Sequence, residues 1–498
     1  MKKIFSIIVL VLITQTGLFS QTSYIDNALK FSTNDYGGTA RFIGMGGAFG
    51  ALGGEFSSIA INPAGLGVYR SSELVFSPGM SYNSNKSIYI NNIVDENGYA
   101  VNVGNMGFVV SNNLENTDTR WVNFNFGVGF NRTNDFNNNV YFQGVNNNSL
   151  LEVFVNEANN VGSSDPTNLD GMYEFLFWDA YIIDYDAGAN EYYSEITDEV
   201  NFDPDNFEIN QRKIIQTEGA VNEFTFSLGG NYAHKLYVGA SVGLSRLKYS
   251  ESASHFEEET SGLQIPIINS FDFREYSTIK GTGLTFKFGA IYKPFEFLRI
   301  GGSIHLPTFY SLDQEYYNSV TGNFTDSVKY SESPLGTYEY RLNTPLRAIL
   351  SLGFQIGKIG LIDIDYEYVD YAKTKMGDEF DSKEVFDDNV EIGKIFQETH
   401  EIRVGLELRT GPIYYRAGGR YSTSPYESIM GNLNTDFEKI TVAGGLGYRK
   451  KDYYIDIAFA QTYYEYEMIA YDYDPYNTAI ASIASKINKF VLTFGMRF

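Results

Sequence analysis

The chain contains 498 residues, of which 43 % are apolar and 20 % charged, a composition that excludes intrinsic disorder. The formal net charge of −24 disfavours a nucleic-acid partner, because an acidic chain repels phosphate backbones. The absence of cysteine excludes thiol catalysis, thiolate metal sites and a lipid anchor on cysteine.

The first twenty residues have the layout of a secretory signal peptide. Lys2 and Lys3 precede an apolar run over residues 4–13, and small residues follow up to Ser20. This run is too short to cross a bilayer as a helix at about 1.5 Å per residue. We therefore predict that residues 1–20 direct export, and no later stretch of the sequence is apolar enough for a transmembrane helix.

Residues 21–71 do not alternate like a strand and are dense in small residues between Gly44 and Gly54. Glycine lets a backbone pack closely against its neighbours. We expect this segment to fill the interior of the structure that follows it, as an N-terminal hatch or plug.

From residue 72 onwards the sequence repeats one pattern, in which a stretch of alternating apolar and polar residues is followed by a turn. In the last stretch, one face carries only large apolar side chains, namely Phe490, Leu492, Phe494, Met496 and Phe498. Side chains alternate between the two faces of a strand, so each stretch predicts a strand with one apolar face.

The connections between these strands alternate between very short and long, and the strands are longer than the usual five or six residues. Long amphipathic strands with short turns on one side and long loops on the other are typical of an outer-membrane β-barrel. We count about fourteen antiparallel strands within residues 72–498, near 72–83, 98–111, 120–133, 219–232, 236–251, 275–293, 296–313, 337–356, 359–373, 397–410, 412–423, 437–449, 452–467 and 486–498.

A long extracellular insertion, residues 134–218, interrupts the pattern. Two helices are predicted in it, Ser149–Val161 and Asn168–Ile183, and both have apolar faces. Leu176, Phe177 and Trp178 lie on the second helix. Two interpretations remain open: a lid that packs on the barrel mouth, or an apolar surface that captures a ligand.

The inward faces of three consecutive strands carry charges of opposite sign. One strand places Asp363, Asp365 and Glu367 inside, and the next two place Glu401, Arg403, Glu407, Arg409, Arg416 and Arg420 there. Neighbouring strands can pair such charges across the ladder. We expect a charged lumen that an apolar molecule crosses only at high cost, because desolvating charge is unfavourable.

No motif predicts an enzyme, a cofactor or a metal site. The string Gly239–Gly243 matches a nucleophile elbow, but it lies inside an alternating strand instead of a strand-to-helix turn. The four histidines show no metal-ligand spacing. His305 is predicted to face the lumen, where it is a candidate ligand contact.

Two strings in the N-terminal segment, Gly44–Phe49 and Asn62–Leu66, resemble the hatch of the FadL family of outer-membrane transporters. Residues 281–294 and 299–307 are also similar to that family, whereas Gly53 and Gly54 depart from its pattern. The resemblance implies passive uptake of hydrophobic molecules, fatty-acid-like or aromatic, which are caught at the outer loops and released sideways through the wall.

On this resemblance the hatch residues Gly46, Gly47, Asn62, Pro63 and Ala64 join Leu176, Phe177, Trp178 and His305 as candidate site residues. The expected partners are a hydrophobic small molecule, outer-membrane lipids and lipopolysaccharide. The alternative function is a non-transporting barrel subunit of an assembly or secretion complex, with other envelope proteins as partners, since a fold does not determine a function.

Overall fold

The computed structural model describes residues 18–114, 120–194, 208–260, 268–378, 383–427, 437–471 and 479–498. The predicted signal peptide, apart from its last three residues, lies outside this part of the chain. No helix in the described ranges combines the length and apolar character needed to cross a bilayer.

Fourteen antiparallel strands form a closed barrel in the described residues, as predicted, and the first strand pairs with the last from Glu73↔Arg497 upwards. The strands are β1 Glu73–Tyr89, β2 Asn92–Asn113, β3 Trp121–Asp135 with Asn138–Asn146, β4 Ile209–Tyr232, β5 Leu236–Glu259, β6 Ile268–Phe295, β7 Leu298–His305 with Phe309–Phe324, β8 Gly336–Asn343 with Arg347–Ile356, β9 Gly360–Asp370, β10 Glu398–Thr410, β11 Ile413–Ser422, β12 Lys439–Arg449, β13 Tyr453–Ile469 and β14 Ile480–Arg497.

Side chains alternate across the barrel wall as the sequence pattern requires. On β13, Ile455, Ile457 and Phe459 are exposed on the outer face, whereas Asp456 and Ala458 are buried inside. Closure leaves no strand edge at the seam and gives the outside a continuous apolar belt.

Two wall strands are interrupted at the same level. β7 breaks at residues 306–308 and β8 at residues 344–346, next to Pro307 and Pro345, which have no backbone N–H for the ladder. Thr308 and Thr344 bridge the two breaks: the Thr308 N–H donates to Thr344 Oγ1 at 2.9 Å. Each interrupted strand therefore continues along the same path.

Five helices accompany the barrel: α1 Leu18–Ser32, α2 Ala40–Gly44, α3 Leu150–Val161, α4 Glu174–Asp179 and α5 Lys383–Ile395. The second insertion helix is much shorter than the predicted 168–183. The Asp170 carboxylate accepts from the Met172 N–H at 2.7 Å in a turn that delays its start, and Tyr181 adopts φ +60° just beyond its end. Helix α5 lies where the sequence indicated only a long loop.

Short 3-10 helices complete the described chain, namely Phe56–Ala60, Pro63–Val68, Pro166–Asn168 and Tyr371–Lys373. Four small strand pieces also lie outside the fourteen in the described residues, namely Asp184–Asp186 paired with Glu191–Tyr193, Val328–Glu332 and Lys375–Gly377. The two ends of the extracellular insertion are strands as well, because Asn138–Asn146 pairs with the upper part of β4.

Candidate functional site

The N-terminal segment, residues 25–69, lies inside the ring of strands. Its polar contacts are spread around the whole wall, since its partners are Asn125 on β3, Ala290 on β6, Ser303 on β7, Asp365 on β9, Glu407 on β10, Arg420 on β11 and Thr493 on β14. A segment that contacts strands on all sides of a closed barrel occupies its lumen.

Gly46 and Gly47 form a turn that only residues without a side chain adopt readily, with φ of +65° and +82°. A Cβ atom on Gly46 would lie 2.8 Å from the backbone nitrogen of Gly419 on β11. The glycines predicted as site residues therefore allow the segment to touch the barrel backbone.

Asn62, Pro63 and Ala64, named above as candidate site residues, form a tight capping turn. The Ala64 N–H donates to Asn62 Oδ1 at 3.0 Å, and Pro63 occupies the first position of the 3-10 helix that follows. Asn62 Nδ2 also donates to the Gly50 carbonyl at 2.7 Å. One buried side chain thus joins two turns of the segment.

Two carboxylates of the wall hold the segment in place. Asp365 accepts from the backbone N–H groups of Phe49 and Gly50, at 3.0 and 3.1 Å. Glu407 receives two parallel bonds from the Arg41 guanidinium, each 2.8 Å long. Such bidentate pairs are among the strongest polar contacts in proteins.

The predicted charge pairs between neighbouring strands are confirmed. Arg403 pairs with Glu367 across β9 and β10, and Arg416 with Glu407 at 2.7 Å across β10 and β11. Arg416 also pairs with Asp456 at 3.0 Å. Arg409 lies on the same face, with its guanidinium carbon 5.5 Å from the Tyr414 ring centroid, but it is exposed at the end of the strand and donates to the Gly411 carbonyl at 3.0 Å instead of pairing with an acid. We call this charged region the lower lumen.

The upper lumen has the opposite character. The apolar face of α1, formed by Ile25, Leu29 and Phe31, packs there against inward side chains of four strands and of α5. Those side chains are buried and apolar, namely Leu247, Ile279, Leu312, Leu342 and Ile392. An apolar solute is compatible with this region and not with the charged one below it.

His305 faces the lumen as predicted, but its ring is engaged by the N-terminal segment. Its Nε2 atom lies 2.8 Å from the Ile61 carbonyl, and the side chain is buried. It borders a cavity of about 30 Å³ that also contacts the ion pair Lys287–Glu223, whose Nζ–Oε1 distance is 2.7 Å. A cavity of this size holds a water molecule.

The wall opens between β2 and β3. Their ladder runs from Asn113↔Asn123 to Asn105↔Asn131 and ends there, although β2 continues to Asn92. Beyond this point the second piece of β3 lies behind the β1–β2 hairpin, where Asn92 Nδ2 donates to the Gln143 carbonyl at 3.0 Å. We call this break in the ladder the wall gap.

The N-terminal segment lines the wall gap with its own backbone. The N–H groups of Asp35 and Gly37 donate to the carbonyls of Thr133 and Arg132 on β3, at 2.9 and 2.8 Å. A cavity of about 30 Å³ beside these residues also contacts Met80, whose side chain is exposed on the outer face. The cavity therefore lies between the segment and the outer face of the barrel.

The extracellular cap, residues 147–194, has an aromatic core. The Phe177 ring stacks on Phe154 with 4.2 Å between the ring centroids and also contacts Phe271 and Phe273. Leu176 and Phe177 are buried, and Trp178 is half-buried beside them. These positions match the lid interpretation, and a ligand reaches Phe177 only when the cap opens.

Sequence reasoning missed the residues through which distant parts of the chain meet. Asp35 binds Arg420 at 3.1 Å and Lys489 inside the barrel. Glu257 fixes the start of α3, since it accepts from Ser149 Oγ and from the Leu150 N–H at 2.9 Å. The acids themselves are visible in the sequence, but nothing in their spacing indicates partners so far along the chain.

The same architecture is found in solved structures. A FadL homologue from Pseudomonas aeruginosa aligns with 94% of this chain and 100% of its own, at 14% identity and a TM-score of 0.56. The fold is that of the FadL-type outer-membrane barrels. The P. putida toluene transporter TodX aligns with 93% of this chain and 99% of its own, at 13% identity and a TM-score of 0.53.

The toluene transporter TbuX of Ralstonia pickettii aligns with 93% of this chain and 98% of its own, at 14% identity and a TM-score of 0.50. No protein-family model matches the sequence, and neither does any curated protein. The likeness is thus one of fold.

Proposed function

We propose that the protein is an outer-membrane channel for hydrophobic small molecules, fatty-acid-like or aromatic, in which residues 25–69 act as a hatch. The solute is captured on the extracellular side, enters the apolar upper lumen and leaves sideways through the wall gap. The solved structures with this fold include proteins described as toluene transporters, which supports the substrate class.

The observation that carries the proposal is the position of the wall gap along the barrel. It is lined by residues 35–38, which join α1 in the upper lumen to α2 in the lower lumen. Above this level an apolar cluster surrounds α1, with the Lys30–Glu251 pair beside it, and below it ion pairs fill the interior. A solute that descends the upper lumen therefore meets a lateral exit above the ion pairs of Arg403 and Arg416, and it passes the Asp35–Lys489 pair at the exit itself.

A reversible disulfide across the gap tests the exit. A Cβ built on Gly37 would lie 3.4 Å from the Arg132 Cβ, close to the separation that a disulfide requires. The chain has no cysteine of its own, so Gly37→Cys with Arg132→Cys gives one defined pair. In proteoliposomes, oxidation should lower toluene and fatty-acid uptake at least about tenfold, and reduction should restore it.

The matched control is Ser227→Cys with Ser241→Cys, which links two residues that already face each other on β4 and β5 with 2.7 Å between their hydroxyl oxygens. Oxidation of this pair should leave uptake unchanged. Unchanged uptake with the gap pair fully oxidised would show that the solute does not leave through the wall gap.

A second function, a non-transporting subunit of an envelope complex, is supported by exposed apolar side chains on the extracellular loops. Tyr181, Val328, Tyr330 and Phe386 are all exposed there. Extraction in a gentle detergent with mass spectrometry of bound proteins and lipids separates the two functions. Stoichiometric protein partners favour the subunit, and a bound apolar small molecule favours the channel.

A further inference from the structure

Exposed positive charge recurs at the end of the barrel that carries the short turns, which is the periplasmic end in such barrels. Five of the six connections at this end carry an exposed Lys or Arg among the described residues. We call these side chains the basic rim: Arg120, Lys235, Lys358, Arg409, Lys450 and Lys451.

The basic rim contrasts with the chain as a whole, whose formal net charge is −24. In the described part of the chain, none of the six forms an ion pair within 4.0 Å. At the sixth connection, between β6 and β7, Lys293 is paired with Glu296 at 2.5 Å. At the β12–β13 turn, the exposed acid Asp452 follows Lys451. The rim cations are therefore available to an external anion, unlike the arginines of the lower lumen.

The surroundings of the rim are those of a membrane surface. Exposed apolar and aromatic side chains flank the turns, among them Ile356, Ile359 and Ile413. The Lys450 ammonium lies 5.9 and 5.6 Å from the ring centroids of Tyr448 and Tyr453. Long cationic side chains at such positions keep their stems in the apolar layer and place their charge at its surface.

The rim is also distributed around the barrel instead of forming one patch. Successive turns at one end are two strands apart, which is about 10 Å at a strand spacing of about 4.8 Å. A protein partner that docks on one side would meet one or two of these turns. The bilayer, in contrast, surrounds the barrel and meets all of them.

We propose that the basic rim binds the phosphate groups of anionic phospholipids in the inner leaflet of the outer membrane. Each Lys or Arg held at an anionic membrane surface increases partitioning by about fivefold. Bound anionic lipid would fix the depth of the apolar belt in the bilayer. This inference is independent of the proposed transport function.

The test compares two triple variants of the full chain in bilayers made of equal parts phosphatidylethanolamine and phosphatidylglycerol. The rim variant carries Lys358→Gln, Lys450→Gln and Lys451→Gln. The control removes three exposed cations from the other half of the barrel, Lys86→Gln, Arg246→Gln and Lys248→Gln. After mild extraction, retained lipids are quantified by mass spectrometry, and heat-dependent gel migration verifies that each barrel is folded.

We expect the rim variant to retain at least about tenfold less phosphatidylglycerol relative to phosphatidylethanolamine, and the control to retain as much as the unaltered chain. An equal loss in both variants, or no loss in either, would overturn the proposal. Displacement of the lipid by inorganic phosphate would assign the rim to a soluble anion. Loss of an acidic envelope protein with unchanged lipid retention would assign it to a protein.

Discussion

The upper and lower halves of the lumen are held together in different ways. Above the wall gap, α1 packs apolar side chains such as Leu29 against apolar side chains of the wall, and shape governs the fit. Below it, Arg403 and Arg416 form buried ion pairs on the wall, and Arg41 ties the N-terminal segment to that network.

In the proposed channel, this difference would allow one barrel to be both permeable and sealed. Apolar contacts lose little stabilising free energy when one apolar partner replaces another, so an apolar solute would be able to compete with α1 for the upper lumen. Buried charges lose several kcal/mol when a partner is withdrawn. The lower lumen therefore resists opening. Its ion pairs stabilise the seal and lie outside the proposed transport path.

The largest expected effect is on the seal. Arg403→Gln with Arg416→Gln leaves Glu367, Glu407 and Asp456 short of partners, and we expect the free energy of unfolding to fall by at least about 5 kcal/mol. The fall in stability is measured as a lower temperature at which the barrel changes from its folded to its unfolded migration on a gel. Hydrophobic uptake should persist while the barrel is folded.

Arg246→Gln serves as the control, because Arg246 is exposed and should change stability by less than about 0.5 kcal/mol. If uptake collapses in the double variant while the barrel stays folded, the solute path runs through the charged lumen and the substrate is polar.

A smaller effect is expected in the cap above the upper lumen. Phe177→Ala removes a buried ring that contacts three other rings, which should cost about 3–5 kcal/mol of local stability. Hydrogen exchange of α3 and α4 should accelerate, with the barrel strands unchanged. Trp178→Ala, at a half-buried position, should accelerate it less. Equal effects of the two changes would contradict the packing described for the cap.

The hatch should be sensitive to Asn62, whose side chain joins two turns. Asn62→Leu leaves the Ala64 N–H and the Gly50 carbonyl without their partner, at a cost of about 1–3 kcal/mol. We expect altered single-channel conductance in planar bilayers while the barrel remains inserted. Asn62→Asp keeps the acceptor for Ala64 and should have an intermediate effect. Unchanged conductance and uptake in both variants would argue against a gating hatch.

The smallest expected effect is a pH dependence of the cap. Burial raises the pKa of Glu174 from 4.5 to about 7, so the closed cap retains a proton that the open cap releases. The stability that this proton provides is complete below about pH 4.5 and declines as the pH rises towards 7. Cap opening, measured by hydrogen exchange corrected for its intrinsic pH dependence, should increase by up to roughly 70-fold between pH 5 and 8.

Glu174→Gln should remove this dependence, because the amide does not ionise in this range. Persistence of the same pH dependence in that variant would assign it to another group.

The strand count was predictable because lipid imposes an apolar outer face on every strand. The strand lengths were not, since water surrounds the barrel above the membrane and the apolar alternation stops there. β2 was expected over 98–111 and extends over Asn92–Asn113, and β6 was expected over 275–293 and extends over Ile268–Phe295. Helix α5 was missed because only one face of it, with Val385 and Ile392, is buried.

The charge pairs of the lower lumen were predictable from the alternation of inward residues on adjacent strands. The wall gap was not, because β3 reads as an uninterrupted strand from Val122 to Phe130. Pro78 in β1 was the available signal, since proline cannot donate to a ladder and the β1–β2 register shifts between Ser77 and Pro78.

The distant partners of the N-terminal segment dictate the order in which the molecule can be assembled. Arg41 binds Glu407, the Ala40 N–H binds Thr493 and Asp35 binds Lys489, so the first part of the chain made is held by the last. These contacts span more than 360 positions, and such long closures are slow. The contacts of Ala40 and Asp35 with β14 can form only once the last strand has been made, so we expect a newly made barrel to become leak-tight late in its biogenesis.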